Sequence, residues 1–298
     1  LNSVDVVIAT RNIETISSRL MQSIETNIPV SRLILVTPQD DGGKGIGIAR
    51  QIGLSRVKTL LHVVIDDDIL EVPGGWFEAA IQVLLDPHVA VVTAAPIYGP
   101  GTLLGKYYHQ RYVVERRFTQ SPCLACMRTE AIRQVGWRSV CGGEDLLLSL
   151  DLMAAGYKWV VLYDRPVYHP RTFLKELKAQ LWWSQGRIHT GEKPWYALLR
   201  IGGTILNGVY YGMFLDVRLL FMLPLLGLVW AIGFLKHYSS NRIHIMNGYI
   251  GANFLFKAES IMDVKKIIED RLKLNNSEVK VVAEAEFKNE VCLCGKLL

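Results

Sequence analysis

Leu60-Leu61-His62-Val63-Val64-Ile65-Asp66-Asp67-Asp68 is an apolar run that ends abruptly in three carboxylates. A run of this length and composition reads as a buried strand. The three acids at its exit repel one another, and burying them is costly unless positive charge compensates. A divalent cation carrying a phosphorylated ligand is a natural compensation. Asp66 and Asp68, spaced Asp-x-Asp, can bring hard oxygen donors to one ion of the Mg²⁺ or Mn²⁺ type. The plainer alternative is a strand that ends in a solvated acidic turn.

Outward from this strand the chain alternates. Val4 to Ala9, Leu33 to Val36, Val89 to Thr93 and Trp159 to Leu162 read as further strands. Between them lie helical patterns: roughly 15–26, capped by Asn12 or Thr15, then 46–55, 76–85, a helix opened by Gly142-Gly143-Glu144-Asp145 and ended by Gly156, and 172–187. Strands separated by helices predict an α/β fold with a mostly parallel sheet and ligand groups at the carboxyl ends of its strands. Residues 97–121 break the rhythm with aromatic and basic side chains, a pattern that suits a helix or a lid. Leu124 to Met127 is a short apolar run leading into another helical turn.

The 298 residues are enough for one large domain and an appendage. Apolar residues make up 50% of the chain and the mean hydropathy is +0.21, high for a purely soluble enzyme. A net charge of +5 permits a surface facing anionic lipid or phosphate. No basic and aromatic array of the kind that grips a nucleic acid is present, so no nucleic-acid partner is expected. The five cysteines form no disulfide framework. Cys123 and Cys126 have CxxC spacing, which leaves a structural zinc site open beside the reading as free thiols in a reducing compartment. The first strand begins almost at the first residue, with no secretory leader, so the catalytic part is expected on the cytoplasmic side.

After Trp195 the character changes. Residues 197–215 are largely apolar, and 219–235 carry no charge, enough to approach the lower limit for spanning a bilayer. Asp216 and Arg218 separate the two stretches and suit a tight hairpin. A membrane-associated segment is expected over 196–238, either crossing the bilayer or lying in its interface. A buried core helix is the competing reading. The division that follows is a catalytic domain over 1–195, the apolar segment, and residues 239–298. That last part holds an amphipathic helix near 260–274 and a tail of no legible role.

Four features fall at strand ends or helix starts: Thr10-Arg11-Asn12, the glycine-rich stretch at 42–47, the acidic triplet, and Glu144-Asp145. Neither a GxxxxGK[ST] phosphate loop nor a GxGxxG dinucleotide fingerprint is present, and no nucleophile elbow supports serine hydrolysis. A metal-bound nucleoside diphosphate with a separate carboxylate base fits the inventory better. Asp145 stands at a helix start, where the dipole favours its ionised form, and can accept a proton from an attacking hydroxyl. The structural alternative for Asp145 is a first-turn helix acid.

These stretches, in this order over about residues 4–190, resemble family 2 glycosyltransferases of the GT-A fold. Val6-Val7-Ile8-Ala9-Thr10-Arg11-Asn12 stands where the family has an opening strand ending in Pro-Thr-Tyr-Asn. Gly45-Ile46-Gly47-Ile48-Ala49-Arg50-Gln51-Ile52-Gly53 is similar to its GxxxARNxG helix, and Ile65 to Asp68 to its Asp-x-Asp motif. Gly143-Glu144-Asp145 resembles its Glu-Asp segment, and Trp182-Trp183-Ser184-Gln185-Gly186-Arg187 its later aromatic and basic segment. The resemblance implies a catalytic pair Glu144 and Asp145, with Asp145 as base. It implies donor contacts from Thr10, Asn12, Asp40, Arg50, Asp66, Asp67, Gln185 and Arg187, and metal ligation by Asp66 and Asp68. His169 is a further candidate ligand or a structural histidine. The family's Val-Asp-Asp-Gly-Ser segment is replaced by Val36-Thr37-Pro38-Gln39-Asp40-Asp41, so either Asp40 or Thr37 and Gln39 take the contact to the base.

The implied reaction is metal-dependent, inverting transfer of a sugar from a nucleoside-diphosphate sugar, UDP- or GDP-linked, with Mn²⁺ or Mg²⁺. The apolar segment points to contact with membrane lipid and to a lipid-linked acceptor: a polyprenyl phosphate, a lipid-linked glycan or a glycolipid. Two rivals are a nucleotidyltransferase acting on sugar phosphates and a non-catalytic membrane scaffold. The first normally has a glycine-rich basic loop after its first strand, and the second leaves the acidic stretches unexplained.

Overall fold

Apolar runs with little room for polar side chains form strands covered on both faces. In the computed structural model Val4–Ala9 (β1), Val30–Val36 (β2), Leu61–Asp66 (β3), Val89–Tyr98 (β4), Leu124–Arg128 (β5) and Lys158–His169 (β6) form one sheet in the order β2-β1-β3-β5-β4-β6. The structure describes residues 3–43, 45–117, 121–140, 142–186 and 193–246, and five short strands beyond them. Side chains are described as far as residue 238, apart from 185 and 186. Pairings β1 with β2, β1 with β3 and β4 with β6 are parallel, and β5 runs against both its neighbours. The sheet is thus mostly parallel, as expected, with one reversed strand that the apolar run 124–127 did not disclose.

Helices cover both faces. Ser18–Asn27 (α1) and Trp76–Val83 (α4) pack Leu20, Ile24, Trp76 and Phe77 against Val6, Ile8, Val63 and Ile65. Pro38–Asp41 (α2) is a single turn at the end of β2. On the other face Ile46–Arg56 (α3), Thr129–Val135 (α6) and Glu144–Ala154 (α7) bring Leu54, Ile132, Leu148 and Leu152 against Val7, Val64 and Val91.

Several boundaries differ from the sequence reading. The first long helix starts at Ser18, because Ser17 accepts the Leu20 N–H at 3.1 Å. Asn12 instead caps a separate 3₁₀ turn, Ile13–Thr15, by accepting the Glu14 N–H. Strand β2 starts earlier, at Val30. Strand β4 continues through Pro96, which is tolerated because β5 pairs with β4 only at Val91–Thr93 and leaves that side free beyond. Strand β6 continues to His169, so the register sets His169 opposite Tyr98.

Residues 97–121 are partly strand and partly helix: β4 runs to Tyr98, then come Leu103–Tyr108 (α5) and a π-helical turn, His109–Val114. Phe173–Gly186 (α8) precedes two apolar helices, Trp195–Phe214 (α9) and Leu219–Met246 (α10). Tyr211, Leu219, Leu223 and Leu226 pack with Tyr98, Leu104, Tyr107 and Tyr108 in a third apolar cluster. The chain divides into two units, Leu1–Phe234 and Leu235–Leu298. In the second, the short strands Leu255–Phe256, Glu286–Phe287 and Glu290–Cys292 pair antiparallel, as do Tyr249–Ile250 and Gly295–Lys296. The helix expected near 260–274 lies outside the described residues.

Candidate active site

Each acid of the triplet finds a different partner at the carboxyl edge of the sheet. Asp66, the last residue of β3, lies opposite Ala9 of β1, and its Oδ1 accepts a hydrogen bond from Arg50 Nη2 at 2.8 Å. Asp67 Oδ2 accepts from the Thr10 hydroxyl at 2.6 Å. Asp68 Oδ1 lies 3.0 Å from His169 Nδ1, at the end of β6, and Oδ2 lies 3.9 Å from Arg171. Three strand ends and one helix therefore converge on three consecutive residues.

Arg50 joins the two acidic stretches. Its Nη1 donates to Glu144 Oε1 at 2.6 Å while Nη2 holds Asp66, and its guanidinium lies over the Trp137 ring at 5.1 Å. The helix that carries it lies unusually close to its neighbours. A Cβ at Gly47 would run into the Arg138 carbonyl oxygen, and one at Gly53 into the Val7 side chain. Glycine at both positions lets α3 settle onto β1 and the 138–140 segment, which sets the depth of Arg50. Gly143, at φ 78°, opens α7 in the left-handed region and turns Glu144 and Asp145 toward Arg50.

The electrostatics follow from this crowding. Burial pushes Glu144 up to about 7 against the pull of Arg50. Asp145 is also raised, by burial first and by Asp66 nearby, while its Oδ1 accepts the Leu146 N–H at 2.7 Å. The helix-start dipole was expected to keep Asp145 readily ionised; desolvation outweighs it. Burial and the flanking acids raise Asp67. Asp68 moves the other way, because its hydrogen bond to His169 and the Arg171 charge overcome its desolvation. Burial pulls His169 down, but the same hydrogen bond to Asp68 lifts it to about 10.

Asp66, Asp68 and His169 place one ligand atom each within 4.8 Å of one another. Two carboxylate oxygens and an imidazole suit Mn²⁺ or Mg²⁺. The charge count agrees: Asp66, Asp67, Asp68, Glu144 and Asp145 outnumber Arg50, Arg171 and His169 even with the imidazole protonated.

Of the residues singled out from sequence, the structure brings Thr10, Arg50, Asp66, Asp67, Asp68, Glu144, Asp145 and His169 into this one cluster. Asn12 and Asp40 are committed locally. Asp40 closes a capping box with Thr37 and pairs with Arg56 at 2.6 Å, which holds it at about 2. Gln185 belongs to α8; its side chain and the whole of Arg187 lie outside the described residues. Cys123 and Cys126 are buried free thiols.

Sequence reasoning missed Arg171 and Glu176. Arg171 lies over Tyr98 at 4.4 Å and Trp183 at 5.2 Å, and is anchored to the fully buried Glu176 at 3.2 Å. Glu176 also accepts from Tyr108 and Gln180, both at 2.7 Å. The only available signal was the adjacency of Arg171 to His169.

No family model matches the chain, and no curated protein does. Several solved structures are partly similar to it. A mannosyltransferase from Pyrobaculum calidifontis in complex with GDP-Man and Mn²⁺ is 13% identical, with a TM-score of 0.49 over 92% of this chain and 81% of that one. Glucosyl-3-phosphoglycerate synthase from Mycobacterium tuberculosis, in complex with Mg²⁺ and UDP, is 16% identical, with a TM-score of 0.39 over 59% of this chain and 74% of that one. S. aureus TarS is 14% identical, with a TM-score of 0.44; the match covers 60% of this chain but spans only 38% of TarS.

Proposed function

We propose that this chain is a metal-dependent, inverting glycosyltransferase of the GT-A type, using a UDP- or GDP-linked sugar and a membrane-linked acceptor. The observation that carries the reading is Arg50 held between Asp66 at 2.8 Å and Glu144 at 2.6 Å, because it ties a candidate metal site to the residue beside the candidate base Asp145. A solvated acidic turn or a non-catalytic scaffold has no use for a buried arginine clamped between two distant acidic stretches.

In this reading Asp66, Asp68 and His169 hold Mn²⁺ or Mg²⁺, which when bound offsets the charge of the departing diphosphate. Arg171, fixed by Glu176 and two aromatic rings, presents a permanent positive charge beside Asp68. Asp145 takes the proton from the acceptor hydroxyl during in-line attack, and burial makes it a stronger base than an ordinary aspartate. Glu144 and Arg50 hold Asp145's helix against the sheet. Thr10 fixes Asp67 through its hydroxyl.

Membrane association belongs to the same proposal. Leu219–Tyr238 is long and apolar enough to cross a bilayer. Leu198, Leu206, Met213, Phe214 and Phe221 are each about 70% exposed, an apolar surface larger than single scattered residues explain.

The test is Asp145→Asn with a panel of UDP- and GDP-sugars, with and without Mn²⁺. The expected outcome is metal-dependent donor binding retained and transfer lost by at least a hundredfold, about 3 kcal/mol of barrier. Near wild-type turnover in that variant removes Asp145 from the role of base.

A further inference from the structure

Among the described residues three acids are buried, Asp5, Glu144 and Glu176, and each faces an arginine. Asp5 also receives the Lys58 N–H, and Glu144 belongs to the acidic cluster. Glu176 stands apart, on the first turn of α8 and fully buried. A carboxylate so completely withdrawn from water is costly to keep unless donors surround it. Three do. The Tyr108 hydroxyl, from the end of α5, and the Gln180 amide, one turn further along α8, both donate to Oε1 at 2.7 Å. Arg171 Nη1 donates to Oε2 at 3.2 Å. The two donors on Oε1 fix the carboxylate and leave Oε2 turned to the arginine.

Arg171 thus has two acids within reach and bonds only one. Its Nη2 stops 3.9 Å from Asp68 Oδ2, outside hydrogen-bond distance, although Asp68 is 53% exposed and free to approach. The Tyr98 and Trp183 rings, at 4.4 Å and 5.2 Å, hold the guanidinium from its sides. Asp68 Oδ1 meanwhile faces His169 at 3.0 Å, and Asp66, Asp68 and His169 are the three groups that could share a cation. An arginine left without Glu176 would find Asp68 as its next carboxylate and close on it as a charge-assisted pair. A guanidinium on Asp68 competes with a metal ion for the same oxygens.

We propose that Glu176 is a positioning residue that holds Arg171 off Asp68 and so keeps Asp68 available to a divalent cation. The inference rests on the glycosyltransferase reading of the Asp66, Asp68 and His169 site, and it adds to that site a residue that touches neither the ion nor the substrate. Glu176 acts only through Arg171. Tyr108 steadies it, which makes the setting of the arginine depend on α5 as well as on α8. Held in this way, Nη2 of Arg171 remains available to an anion carried by the cation.

The experiment is a double-mutant cycle on Mn²⁺ binding by the full chain, followed by calorimetry with the metal alone. Glu176→Gln keeps the shape, removes the charge and should weaken Mn²⁺ binding about fivefold. Arg171→Gln should bind Mn²⁺ as tightly as the wild-type chain or more tightly. With Arg171 already replaced, Glu176→Gln should cost less than about twofold. An equal loss in both backgrounds makes Glu176 a distant charge or a packing group and overturns the proposal. So does unchanged Mn²⁺ binding in Glu176→Gln, or a wild-type chain that takes up no Mn²⁺. Tyr108→Phe leaves the buried acid in place and repeats the cycle should Glu176→Gln not fold. Its loss should be about twofold to threefold and should vanish in the Arg171→Gln background; a loss that persists there overturns the proposal. Titration with UDP- and GDP-sugars in the presence of Mn²⁺ tells the two readings apart. A wild-type chain that binds Mn²⁺ but neither donor sinks the glycosyltransferase reading, and the cycle still decides the role of Glu176. Donor binding together with an additive cycle sinks the role of Glu176 alone.

Discussion

Arg50 is the residue on which the two acidic stretches depend. Removing its charge leaves Asp66 and Glu144 facing each other in a site where Glu144 is almost wholly excluded from water. Breaking a buried pair in this way costs about 3–5 kcal/mol, so Arg50→Gln should lower the unfolding free energy, measured by denaturant titration, by about that amount at pH 8. The loss should depend on pH in a definite direction. Glu144 is raised to about 7, above its ordinary value of 4.5, so the folded state holds its proton more tightly than the unfolded chain does. Its contribution to stability is full below the unfolded value and is lost as pH rises through about 7. The deficit of Arg50→Gln should therefore shrink between pH 8 and pH 5; a deficit that is flat across that interval contradicts the assignment. The sequence already marked Arg50, Asp66 and Glu144, because acids and a basic residue at strand ends and helix starts are legible as chemistry. That the Arg50 guanidinium joins the other two was not legible, since Arg50 and Glu144 are 94 positions apart.

At the scale of elements, glycine spacing on α3 does what side chains do elsewhere. Gly47→Ala has to displace either the helix or the Arg138 backbone, because the added methyl meets a carbonyl oxygen that has nowhere to go. Overpacking of this kind costs about 1–3 kcal/mol, and here it should also weaken donor binding, because α3 carries Arg50 outward as it moves. Gly202→Ala on α9, where a Cβ meets nothing within 4 Å, is the matched control and should leave both properties intact or slightly improved. Thermal melting and nucleotide-sugar titration on the two variants check this. The strands and helices of the sheet were readable from period and punctuation, but their limits were set by partners the sequence does not display. Strand β6 reaches His169 only because β4 continues beside it past Pro96, and α1 waits for Ser17 because Asn12 spends its carbonyl oxygen on a 3₁₀ turn.

For the whole molecule, the proposed membrane association rests on the apolar helices. Leu206 and Phe221 are 72% and 73% exposed, whereas Leu223 nearby is 2% exposed and belongs to the cluster against α5. Converting Leu206 and Phe221 to lysine together should reduce partition into neutral vesicles by more than tenfold, since each forfeits about 1.5–3 kcal/mol of apolar burial, and should leave thermal stability unchanged. Leu223→Lys should do the reverse and unfold the cluster. Flotation with phosphatidylcholine vesicles and melting curves separate the two effects. Composition and the uncharged run made the apolar segment visible in the sequence; which of its faces would be used up inside the protein depended on Tyr107, Tyr108 and Tyr98, residues with no periodic relation to it. The reversed strand β5 has a wider consequence. Because it runs against β4, the excursion from Gly99 to Cys123 leaves and re-enters on one rim, pinned by Gly99 to His169 and by Asp66 to Cys123, each at 2.8 Å. Such an excursion can change length and chemistry at its exposed positions and retune what approaches the rim, so long as Leu104, Tyr107 and Tyr108 keep their packing, while the six-strand frame and its acids hold their register.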